Sequence, residues 1–99
     1  MKILVAEDNI ALASLIAKVL NGDGHATQIV HDGKQALELL GAGTFDLLVL
    51  DLDLPVIDGR QVLGKIRAHN KGIPIVILTG ASQVEERVAR LDADRKSVV

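Results

Sequence analysis

Five acidic residues and one hydroxyl occupy positions in this chain where chemistry is possible. The stretch LLVLDLDLPVIDG, residues 47–59, runs from four aliphatics straight into Asp51, Asp53 and Asp58. A second acidic pair, Glu7 and Asp8, follows MKILVA, and Thr79 closes the run IVILT. Carboxylates gathered beside an apolar core repel one another and lose hydration. Two unit charges about 4 Å apart interact by roughly 4 kcal/mol at an effective dielectric of 20. A metal ion, a phosphoryl group or a helix end would each make the arrangement tolerable. Magnesium suits such a set, because it takes one or two carboxylates, keeps several waters and leaves room for phosphate oxygens. Zinc asks for His or Cys at ligand spacing. His25, His31 and His69 are scattered, and the absence of cysteine also excludes disulfides and thiol catalysis.

Taken singly, these residues have plainer readings. Asp8 serves equally well as the cap of a following helix. Asp58, before Gly59, reads better as a cap than as a ligand. Asp53 alone could be a solvated loop residue, and Thr79 alone a β-branched strand residue. The case for a site rests on what brings them together.

That depends on the elements. Ile3, Leu4 and Val5 read as a short strand buried on both faces. Leu12, Leu15, Ile16, Val19 and Leu20 then recur at helical spacing, with Asp8 or Asn9 to cap the start and Gly22 and Gly24 to end it. His25 to Val30 is a weaker strand. Asp32 and Gly33 open a second helix with Ala36, Leu37, Leu39 and Leu40 inward, stopped by Gly41 and Gly43. Phe45 to Leu50 is a third strand, and its run of aliphatics places it near the centre of a sheet. Val62, Leu63 and Ile66 mark a third helix closing near Gly72. Pro74 precedes a fourth strand, IVILT, and Val84, Val88 and Leu91 give a fourth helical stripe.

Strand and helix alternate four times with short connections. This predicts an α/β fold: a doubly wound parallel sheet with helices on both faces and right-handed crossovers. In such sheets, ligands bind beyond the carboxyl ends of the strands. Glu7 and Asp8 follow strand one, Asp51 ends strand three and Thr79 ends strand four, so one edge collects them all.

Composition narrows the function further. The 99 residues suffice for one domain, and with 48% hydrophobic and 24% charged residues a packed core is expected. One Phe, no Trp, no Tyr and a net charge of -2 argue against nucleic-acid binding by this stretch. No segment has the length of a membrane span or of a secretory apolar region, which favours the cytoplasm.

The ordered motifs resemble the receiver domain of bacterial two-component response regulators, the flavodoxin-like fold of the chemotaxis response regulator. The matching residues are Glu7-Asp8 after MKILVA, Asp51 followed by L-P-x-x-D-G, and a hydrophobic strand ending in Thr79 and a small residue. The segment RVARLDA also resembles the fourth helix of regulators that carry a DNA-binding output domain. The resemblance covers about residues 1 to 93 of a single receiver domain spanning 1–99. It implies that Asp51 accepts a phosphoryl group from a sensor histidine kinase or phosphotransfer protein, with Mg2+ held directly by Asp8 and Asp51 and through water by Glu7. Asp53 would offer its backbone carbonyl to the metal while its side chain tunes rates. Thr79 would be the switch hydroxyl, and Pro55 and Gly59 would shape the loop.

Receivers have five strand–helix units, whereas four are read here, and the family's lysine would fall just beyond Val99. Lacking a fifth unit, strand four is expected to be an open sheet edge through which the chain self-associates. Two other functions fit parts of the pattern. A degenerate receiver would bind partners without phosphorylation. A haloacid-dehalogenase-like phosphatase would use D-L-D-L with Asp51 as nucleophile and Asp53 as acid, but it puts that motif on its first strand and lacks Pro55.

Overall fold

Ile3, Leu4, Val5 and Ala6 are all fully buried, and a strand with no wet face must lie inside a sheet covered on both sides. The computed structural model describes residues 1–69, 72–78 and 97–98. Its elements follow in the order β1 (Lys2–Ala6), α1 (Ile10–Gly22), β2 (Ala26–Val30), α2 (Gly33–Ala42), β3 (Leu47–Asp51), α3 (Gly59–His69), β4 (Ile75–Leu78) and β5 (Ser97–Val98). All described pairings are parallel, in the sheet order β2-β1-β3-β4-β5. The α/β doubly wound fold expected above is therefore the one observed.

Side-chain alternation divides the core into two layers. Leu4, Ala6, Leu48, Leu50, Ile75 and Ile77 point to the α2 and α3 side, together with Val62 and Ile66. Ile3, Val5 and Val49 point to the α1 side, against Ala13, Ile16 and Leu20. The helices begin where the sequence offers caps. Asn9 Oδ1 accepts from the Leu12 N–H at 2.9 Å, and Asp32 Oδ1 accepts from Gln35 N–H at 2.7 Å. Asp58 Oδ1 accepts from the Arg60 N–H at 2.8 Å, which makes Asp58 a cap as expected. Because Asn9 caps α1, Asp8 is released for other work.

The α1 stripe is covered only in part: Ala13 and Ala17 are buried and Ile16 and Leu20 half-buried, while Leu12, Leu15 and Val19 are exposed. The apolar arc of this helix is wider than the face that the sheet covers, and its close approach is through alanines. One expectation is corrected: strand four is not an open edge. Ser97 and Val98 form β5 in parallel register with Ile75 and Val76, so backbone groups in the first half of β4 have partners. Thr79 and the fourth helical stripe (Val84, Val88, Leu91) lie outside the described residues.

The chain runs outward from β1 in both directions, to β2 on one side and to β3 on the other, so the topological switch point lies between β1 and β3. Glycine makes the approach to it tight. A Cβ on Gly59 would collide with the Asp51 carbonyl oxygen and lie 2.6 Å from Leu52 Cα, and one on Gly33 would collide with the Ile57 carbonyl. The Gly59 N–H donates to Leu52 O at 2.9 Å, and the Gly33 N–H to Pro55 O at 3.1 Å. Helices α2 and α3 are thereby laced to the loop after β3.

This generates a paired expectation. Gly59→Ala should destabilise by about 1–3 kcal/mol or more, because backbone rather than a flexible side chain must yield. Gly64→Ala, in mid-helix with nothing within 4 Å of the added carbon, should stabilise by about 0.5–1 kcal/mol. Denaturant unfolding of both variants beside the parent checks the sign of each.

Candidate functional site

The pairing of β1 with β3 ends at Ala6 opposite Leu50, so the next residues, Glu7 and Asp51, lie side by side at the carboxyl edge of the sheet. Glu7, Asp8 and Asp51 each bring a carboxylate oxygen within 4.8 Å of the other two. Three of the four residues expected to serve the metal therefore converge. The fourth, Asp53, sends its side chain elsewhere: its Oδ1 lies 3.2 Å from Arg60 Nη1. Its backbone stays at the site, where the Asp53 N–H donates to Asp51 Oδ1 at 2.9 Å.

Glu7 is the buried member, only 4% exposed. Its backbone is held from both sides. The Glu7 N–H donates to Val30 O at 3.0 Å, and His31 Nδ1 lies 2.9 Å from Glu7 O, which fixes the proton on that nitrogen because a carbonyl only accepts. The Asn9 N–H donates to Glu7 Oε2 at 3.0 Å.

Burial pushes the Glu7 carboxyl up to about 7, the Asn9 N–H opposes this, and the neighbouring Asp8 and Asp51 add to it. Asp51 is also raised, first by burial and further by the charges of Asp8 and Asp53, while hydrogen bonds from the Asp53 N–H and from Glu7 act the other way. Both carboxyls are thus pushed toward their protonated forms, which relieves part of the repulsion that a cation would relieve. The donor set is all oxygen, with no imidazole or thiolate among these ligands, and it fits a hard divalent cation such as Mg2+.

Sequence reasoning did not identify His31 or Arg60 as parts of this region. A lone histidine after a strand and an arginine at a helix start carry no distinctive spacing, so no sequence signal pointed to either. The loop after β3 also holds Val56 at φ 69°, with the Ile57 N–H donating to Pro55 O at 2.8 Å across it. This is a γ-turn of the strained hand, occupied by a β-branched residue.

The family model for the response regulator receiver domain matches residues 3–99. Response regulator MprA of Mycobacterium avium is 38% identical over 93 residues, covering 94% of this chain and 41% of its own length. The chain thus spans about two fifths of the length of the curated relatives it matches. Response regulator TrrA of Thermotoga maritima, solved in complex with Mg2+ and BeF, is 31% identical, with a TM-score of 0.84 over 99% of this chain and 84% of that one. The receiver domain of a sensor histidine kinase from Pseudomonas aeruginosa, with a magnesium ion in its active-site cleft, is also 31% identical, with a TM-score of 0.84 over 99% and 82%.

The Glu7 environment predicts a pH slope. Folded, metal-free Glu7 takes up its proton near pH 7, against 4.5 for its ordinary value. Between these values the folded state binds more protons than the unfolded one, so stability falls as pH rises. The loss between about pH 5 and pH 8 should be on the order of 3 kcal/mol. Denaturant unfolding in excess chelator should show this slope, and Glu7→Gln should flatten it.

Proposed function

The chain belongs to the response regulator receiver domain family of two-component systems, and we propose that residues 1–99 act in it as a phosphoacceptor with Asp51 as the accepting group. One observation carries the assignment: Asp51 ends β3 at the switch point with its carboxylate beside Glu7 and Asp8. A carboxylate is a competent nucleophile when its own charge is managed. An Asp51 oxygen bonds to phosphorus as the bond from phosphorus to the phosphohistidine nitrogen, or to the leaving oxygen of a small phosphodonor, breaks. The product is a mixed anhydride, and the departing imidazole takes a proton from water.

Asp8 and Asp51 would hold Mg2+ directly, with Glu7 acting through water and Asp53 through its backbone carbonyl. When bound, Mg2+ neutralises carboxylate and phosphoryl charge, the main requirement in this class of transfer. The Asp53 N–H fixes one Asp51 oxygen, and the His31 and Asn9 contacts keep Glu7 in place. Thr79, the residue after Leu78, is assigned the switch hydroxyl.

The partner in this reading is a sensor histidine kinase or a phosphotransfer protein, and the setting is the cytoplasm. Among the described residues no helix is long and apolar enough to cross a membrane. The net charge of -2 supports no nucleic-acid contact by this domain. Self-association through the edge of β4 loses its original support, since β5 pairs there.

Intact-mass measurement after incubation with acetyl phosphate and Mg2+ tests the assignment. The parent should gain one phosphoryl group, Asp51→Asn none, and Asp53→Asn should gain it at a changed rate. Labelling of Asp51→Asn would move the acceptor elsewhere. No labelling of the parent would favour the degenerate receiver, a scaffold that binds without phosphorylation.

Magnesium titration followed by amide shifts gives a second check. Residues 7–9 and 51–53 should move together, and Asp8→Ala should weaken binding at least tenfold.

A further inference from the structure

Arg60 is the second residue of α3, and its geometry ties the helix start to the acceptor. Its backbone N–H donates to Asp58 Oδ1 at 2.8 Å, while its Nη1 lies 3.2 Å from Asp53 Oδ1 and 3.4 Å from Asp58 Oδ2. Asp53 is the residue whose own N–H donates to Asp51 Oδ1. A continuous path of polar contacts therefore runs from Arg60 through Asp53 to the acceptor. Along it, Asp53 presents its backbone to Asp51 and its carboxylate to the guanidinium.

The division of Asp53 into two halves has a chemical reason. An acceptor already crowded by Glu7 and Asp8 gains nothing from a further free carboxylate, and an anionic phosphodonor would be repelled by it. We propose that Arg60 is a positioning residue for phosphoryl transfer: it holds the Asp53 carboxylate against the first turn of α3 and so partly offsets that charge at the acceptor and at the incoming phosphoryl group. The proposal rests on Asp51 being the acceptor. Without Arg60, the Asp53 charge would add to the acidic cluster, so a cation should bind more tightly and an anionic donor should react more slowly. A helix-capping role alone produces neither of these opposed effects.

The side chains of Arg60 and Asp53 are 31% and 49% exposed, so solvent screens the pair and the effects should be modest. With saturating Mg2+ and low salt, Arg60→Ala should slow labelling by acetyl phosphate about two- to fivefold. The difference should fade near 1 M salt, where the screening length is about 3 Å. Arg60→Lys should restore most of the rate. In an Asp53→Asn background, Arg60→Ala should change nothing further, the signature of one coupled pair.

Affinity for Mg2+ alone, read from amide shifts, should rise about two- to fivefold in Arg60→Ala and stay level in the Asp53→Asn background. This second readout does not depend on labelling, so it decides the role of Arg60 even if Asp51 fails as acceptor. Equal effects of Arg60→Ala with and without Asp53, or reproduction of them by Asp58→Asn, would overturn the proposal in favour of a structural cap. Unchanged rate and unchanged Mg2+ affinity would overturn it outright.

Discussion

Three carboxylates each place one oxygen within 4.8 Å of an oxygen of the other two, and one of the three belongs to a residue that is almost wholly buried. Their repulsion is the constraint around which the rest of the molecule is arranged. It can be met by a proton, which Glu7 holds up to about pH 7, or by a divalent cation. These two solutions compete, because a cation beside the carboxylates favours their ionised forms. Pairing Asp53 with Arg60 fits the same logic, since it partly offsets one more charge beside a crowded place.

Crowding of this kind needs a stiff frame, and the frame is backbone. Gly33 and Gly59 allow α2 and α3 to come against the loop after β3 where any side chain would collide. Hydrogen bonds from Gly33, Ile57 and Gly59 to Pro55 and Leu52 hold that loop. Val56 is held at positive φ within it, 74% exposed, a conformation that β-branched residues avoid when free to do so. The surrounding bonds over-determine the turn and keep it there.

Much of this was legible in the residues. Glu7, Asp8 and Asp51 stand out because charges directly after aliphatic runs can only be strand ends, and strand ends of a parallel sheet share an edge. Asp32 and Asp58 were readable as caps for the same local reason. The half-exposed α1 was not, because Leu12, Leu15 and Val19 continue the buried arc in sequence while the sheet covers only part of it. Strand β5 was invisible, since two residues, Ser97 and Val98, carry no periodicity at all. Its existence depends on β4 offering a partner, a tertiary fact. Arg60 was equally hidden: a cation in a helix's first turn reads as a solvated face until its reach to Asp53 is seen. Thr79 is the one expected site residue outside the described residues.

The sheet order also has a consequence for the chain as it is made. Strand β1 sits between β2 and β3, and the residues that crowd the site lie at positions 7, 8 and 51. A polypeptide leaving the ribosome N-terminus first therefore carries every member of the acidic trio once Asp51 has emerged. Strands β4 and β5 have yet to emerge at that moment. The acidic trio can therefore assemble on β1, β2 and β3 before the rest of the sheet is available to it.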